Sequence, residues 1–125
     1  GCTGMIWGAV NFMPHECVKL FNLIDEKKYQ EALELWKMME PVCLWLGGNR
    51  HDVDYLTGIK AATNLSGRNM GPPRKPLPSA PAPARHDLRI AMSKLPINHT
   101  TNNRLVWRDW QEERDWLIQS TIRKN

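Results

Sequence analysis

Apolar positions open the chain as an unbroken block and only afterwards become periodic. Gly4-Met5-Ile6-Trp7-Gly8-Ala9-Val10 carries almost no polarity and ends on Asn11. A short apolar run between small residues predicts a buried strand, covered on both faces as in a parallel sheet. Pro14 then suits the first turn of a helix, and Glu16 sets negative charge near the positive end of its dipole. In that helix, which runs to about Asp25, Cys17, Leu20, Phe21 and Ile24 recur at i, i+3, i+4 and i+7, and this face should pack on the strand before it. Tyr29, Ala32, Leu33, Trp36, Met39 and Cys43 mark the next stripe. Pro41 interrupts it, which predicts a kinked helix or two shorter ones over 28–46, ended by Gly47-Gly48. Asp52 is the expected N-cap of a third helix, with Tyr55, Leu56, Ile59, Ala62, Thr63 and Leu65 on its face and Ser66-Gly67 as its stop.

A strand needs neighbours, and no later segment repeats the opening run. The pattern therefore predicts the C-terminal piece of a larger α/β protein, with a last strand and helix over 1–25 and C-terminal helices over 26–66. Six of the nine prolines, Pro72, Pro73, Pro76, Pro78, Pro81 and Pro83, fall within residues 67–83. They predict an extended strap across the surface that leads into another helix. That helix, 84–95, would bury Leu88, Ala91, Met92 and Leu95 and stop at Pro96. Residues 96–125 begin as a polar linker and continue as a charged segment with Leu105, Trp107, Trp110, Trp116, Leu117 and Ile122. Indoles so closely spaced should dock on the body of the protein or on another subunit.

The chain has 125 residues, 42% of them hydrophobic, and a net charge of +4. Its basic excess gathers at Arg68, Arg74, Lys75, Arg85 and Arg89. Without interleaved aromatics or a recognised binding motif, these charges read as a solvated loop and not as a nucleic-acid surface. Three cysteines, Cys2, Cys17 and Cys43, lack ligand spacing and read as reduced, partly buried thiols. No apolar run approaches the roughly 18 residues of a membrane span, and no signal peptide is visible, which predicts a cytoplasmic chain without a membrane partner. The glycosylation sequons at Asn64 and Asn98 are then coincidental.

No phosphate-binding glycine loop, metal-spaced cluster or paired nucleophile and base is legible, so the sequence predicts no catalytic residue, metal or cofactor within the chain. His15-Glu16, His51-Asp52 and His86-Asp87 are neighbours whose side chains diverge on a helix, and they are not dyads. Lys60 reads as a solvated or snorkelling helix lysine, not as a nucleophile. Ile6 and Gly8 are the candidate substrate-binding positions, because parallel sheets and barrels bind ligands at the C-terminal ends of their strands.

Gly4-Met5-Ile6 with Asn11, Pro14 and the helix to Asp25, Tyr29-Gln30-Glu31-Ala32 and Met38-Met39-Glu40-Pro41 follow one another in an order that resembles a known family. Ile59-Lys60-Ala61, Gly67, Gly71-Pro72-Pro73-Arg74 and Pro76-Leu77 continue it. Over about residues 1–95 the chain resembles the C-terminal part of the dihydrodipicolinate synthase/N-acetylneuraminate lyase family. The resemblance implies a TIM barrel followed by extra helices, in homo-oligomeric enzymes that join a lysine to a pyruvate-like substrate as a Schiff base. It places the nucleophilic lysine, the catalytic tyrosine and the glycine-rich carboxylate-binding turn upstream of Gly1. It sets Ile6 where main chain lines the pyruvyl site, and Gly8 where the sialic-acid lyase branch has a serine. Two departures stand out: Gly48-Asn49-Arg50-His51-Asp52 replaces the synthase branch's Glu-x-Asn-Pro-like turn, and the tail after Pro96 has no counterpart. The implied function is that of a lyase, aldolase or dehydratase acting on pyruvate or a 2-keto acid, with this segment alone inactive. A freestanding helical interaction module, using the proline strap and the tryptophan tail, is the alternative.

Overall fold

A computed structural model of the chain describes residues 2–47, 50–95 and 110–123, and they form five α-helices. These are α1 (Pro14–Asp25), α2 (Tyr29–Gly47), α3 (Tyr55–Leu65), α4 (Ala82–Met92) and α5 (Trp110–Ile122). Among the described residues there is no strand, so the predicted buried strand is not formed. Trp7 is extended, at φ −146° and ψ 125°, but Gly8–Asn11 curls into a 3-10 turn. Backbone groups of the turn bond locally instead of to a neighbouring strand. Val10 N–H donates to Trp7 O (3.2 Å), and the Asn11 side chain closes onto Gly8 O (2.9 Å).

Helices α1 and α2 pack as a hairpin, and this partner decides which face is buried. With α2 in place of a sheet, α1 buries Glu16, Cys17, Leu20 and Leu23. Phe21 is half-buried and Ile24 is exposed, which corrects the face expected from spacing alone. Helix α2 also contacts α3 and α4, and buries Ala32, Leu35, Met39, Val42, Trp45 and Leu46. Trp36 and Cys43 are only partly covered, and Tyr29 and Leu33 face solvent. Pro41 sits inside a single helix and does not divide it in two.

The ends of α1 and α3 share one hydrogen-bond pattern. After α1, Lys28 N–H reaches Leu23 O and Lys27 N–H reaches Ile24 O; after α3, Arg68 N–H reaches Thr63 O and Gly67 N–H reaches Asn64 O. This is the Schellman closure, which needs a left-handed residue just past the helix. Gly67 supplies it at φ 92°, and Lys27 supplies it at φ 60°. At its other end α3 is capped by Asp54, whose Oδ1 accepts from Leu56 N–H (2.8 Å). Asp52 is not the cap, because it belongs to the preceding 3-10 turn, Arg50–Asp52. The buried face of α3 includes Thr57 and Gly58, while Tyr55 and Leu56 are exposed.

Helix α4 starts two residues before its predicted beginning, because Pro83 takes a first-turn position, and it ends at Met92. Leu88, Ala91, Met92 and Leu95 are buried as its spacing predicts, and Arg89 is buried with them. The basic residues are therefore not all solvated. Helix α5 lies against α4, with the Trp116 ring 5.5 Å from that of His86. Pro96, the Asn98 sequon, Leu105, Trp107 and the Trp110 side chain lie outside the described residues. No described helix is long and apolar enough to cross a membrane.

Candidate functional site

The helices hold the N-terminal segment from one side. Trp7 stacks toward Trp36 of α2, with ring centroids 6.4 Å apart, and Arg68 Nη1 donates to Asn11 O (3.1 Å). Gly8 is pressed against α3: a Cβ there would lie 2.2 Å from Ile59 Cδ1 and 2.7 Å from the Tyr55 hydroxyl. A side chain at position 8 would therefore have to displace the ends of the Ile59 and Tyr55 side chains. Ile6 turns the other way and is completely exposed, with Met5 and Val10 also exposed beside it. The two candidate positions thus face different surroundings, Gly8 the α3 packing and Ile6 open solvent. Neither lines the cavity of about 350 Å³ that lies between α3, the strap and α4.

Lys60 follows Ile59 by about 100° around α3 and so lies to the side of the face that meets Gly8. Its Nζ donates to Met70 O (3.2 Å) and Pro72 O (3.1 Å), tethering the strap. Asn64 holds the same stretch, donating to Gly71 O (3.2 Å) and accepting from Met70 N–H (2.7 Å). Thr57 Oγ1 donates to Pro78 O (3.0 Å). These polar residues of α3 seat the strap, a role that the apolar pattern does not reveal.

Sequence reasoning also missed a pair. His51 Nε2 lies 2.7 Å from Asp87 Oδ2, across 36 positions. His51 reaches α4 because its backbone is left-handed, at φ 64°, in the turn before α3. No local spacing signals such a contact. Two thiols are held protonated by their surroundings: burial, reinforced by the Glu16 charge, raises Cys17 to about 11. Burial, followed by the neighbouring Cys17, raises Cys43 to about 11 as well. Cys2, by contrast, is exposed, which corrects its reading as a partly buried thiol. Among the described residues no group of three or more His, Cys, Asp or Glu side chains could hold a metal ion.

No family model matches the chain, and no solved structure matches it significantly. Curated proteins do match, and those named for an activity are lyases or synthases of one kind. An uncharacterized DapA-like lyase of Pyrobaculum arsenaticum is 31% identical over 100 residues, covering 76% of this chain and 33% of that protein. A second DapA-like lyase, from Pyrobaculum aerophilum, matches with the same identity and coverage. The 4-hydroxy-tetrahydrodipicolinate synthase of Prochlorococcus marinus is 30% identical over 95 residues, 76% of this chain and 30% of its own length. The chain belongs to the dihydrodipicolinate synthase family. It spans about a third of the length of the curated relatives it matches.

Proposed function

We propose that the chain is the C-terminal segment of a Schiff-base-forming lyase, aldolase or dehydratase that acts on pyruvate or a related 2-keto acid. The observation that carries this reading is the match to DapA-like lyases and a synthase over 76% of the chain. In such chemistry a lysine amine condenses with the ketone and releases water, and the protonated imine then accepts the electrons of the C–C bond that breaks or forms. By the family resemblance the lysine lies in the barrel and not in this segment, and the engagement of Lys60 with Met70 O and Pro72 O supports that reading. The segment's part is to seat the last barrel strand, with Ile6 main chain lining the keto-acid site and Gly8 packed against α3. Homo-oligomerisation and a cytoplasmic location belong to the same proposal. The interaction-module reading is weaker, because Ala80 is buried and Pro78 O is taken by Thr57, so the strap is occupied within the chain.

Borohydride reduction of the intact protein in the presence of pyruvate is the test. A mass adduct on a lysine outside these 125 residues, with Lys60 unmodified, is the expected result. No lysine adduct at all would sink the reading.

A further inference from the structure

We propose that Arg68 is a positioning residue for the keto-acid site: by holding Asn11 O it fixes the turn that carries Gly8, two residues after Ile6. That role rests on the lyase reading of the chain, which puts Ile6 main chain at the bound keto acid. Asn11 ends the 3-10 turn Gly8–Asn11, and the residue three positions after it is Pro14. A 3-10 bond onto Asn11 O would need the N–H of residue 14, and proline has none. Arg68 supplies a donor to that carbonyl from 57 positions away, with Nη1 at 3.1 Å. The bond is charge-assisted, because a guanidinium keeps its proton.

Both ends of this contact are anchored. On the donor side, Gly67 at φ 92° reverses the chain just past α3, where Gly67 N–H donates to Asn64 O (3.1 Å) and Arg68 N–H to Thr63 O (3.2 Å). Ser66 is buried and locks the same turn through its hydroxyl, which donates to Thr63 O (2.8 Å). The Arg68 backbone is thereby set, so less freedom is lost when its side chain is held. On the acceptor side, Ala9, Phe12 and Met13 are fully buried, while Asn11 is exposed and its side chain closes onto Gly8 O (2.9 Å). Burial fixes the inner face of the turn, and Arg68 fixes the outer one. With Ile59 and Tyr55 against Gly8, α3 and the turn after it bracket residues 8–11 at both ends. By the lyase reading these residues follow the last barrel strand at its C-terminal end, where barrels bind their ligands. A displacement of about 1 Å at such a place misaligns a bound substrate with its reacting group.

The test treats the intact protein with borohydride over a series of pyruvate concentrations and reads the lysine adduct by mass for the wild type, Arg68→Met and Arg68→Lys. Melting temperature and helical circular dichroism are recorded beside it. In R68M the pyruvate concentration for half-maximal labelling is expected to rise about threefold to tenfold, the scale of one exposed hydrogen bond. Labelling at saturating pyruvate and helical content should stay at the wild-type level. R68K keeps a cationic donor on a side chain of similar reach, and its half-maximal concentration should lie between the two. Arg68→Gln takes the place of R68M if that variant loses its helical signal. A half-maximal concentration equal to the wild type in the folded variant, or labelling that falls only in step with the melting temperature, makes Arg68 purely structural and overturns the proposal. A wild-type protein that yields no lysine adduct overturns the lyase reading itself, so the two failures are told apart.

Discussion

Gly8 and Ile59 compete for one volume, so position 8 tests the seat of the N-terminal segment directly. A methyl group there would meet Ile59 Cδ1 at 2.2 Å. Gly8→Ala is expected to cost about 0.5–1.5 kcal/mol, because the ends of the Ile59 and Tyr55 side chains must move aside. Ile59→Val removes the very atom that clashes, so G8A should cost less in that background, and a double-mutant cycle by urea unfolding measures the difference. Additive costs would mean that Gly8 does not touch α3. The buried thiols give a second prediction at this scale. Their ordinary value is 9.0 and the folded value is about 11, so the native state keeps protons that the unfolded chain has already lost. Stability should therefore fall as pH rises from 9 toward 11, and C17A/C43A should fall less steeply. Parallel slopes in urea midpoints would assign the alkaline loss to other groups. The hydrophobicity of Cys17 was legible in the sequence, but its coupling to Cys43 was not, because it arises where α1 meets α2.

The matched ends of α1 and α3 show what a local signal does and does not reveal. Both close with the same two hydrogen bonds, yet only Gly67 announces its turn, since glycine adopts positive φ without steric cost. Lys27 adopts the same region with a Cβ. Lys27→Gly should stabilise the chain by about 0.5–1 kcal/mol, and Gly67→Ala should destabilise it by about 1 kcal/mol, both read as shifts of the urea midpoint. Equal effects of either sign would contradict the shared geometry. The cap of α3 follows the same logic. Asp54→Ala should cost about 1 kcal/mol and Asp54→Ser much less, as circular dichroism melts can show. Sequence spacing located these helices to within a few residues, because periodicity survives in any packing. It misjudged which faces of α1 and α2 are buried, since a face is chosen by its partner, and the partner of α1 is α2 rather than a strand. The opening run failed as a strand for a related reason: its apolar residues were legible, but among the described residues no strand is present to pair its backbone.

In the whole molecule, the tail adds a helix to which the family resemblance assigns no counterpart. Trp116 is half-buried and lies over His86, so Trp116→Ala should cost about 1 kcal/mol and lower the melting temperature by about 4 °C. An unchanged melting temperature would mean that α5 does not rest on α4. Met5, Ile6, Val10, Val18 and Ile24 leave apolar surface on the N-terminal segment and α1. Removing Ile6 and Met5 by substitution with serine should reduce self-association of the isolated chain, measured by sedimentation, with little change in its helical content. The hold of Arg68 on Asn11 O joins groups 57 positions apart. Such a loop is entropically slow to close, whereas the α1–α2 hairpin, joined by three residues, closes early. A ribosome delivers Asn11 long before Arg68, so during synthesis the N-terminal segment waits unclasped over a hairpin that has already formed. Pulsed hydrogen exchange should therefore protect α1 and α2 before it protects residues 8–13.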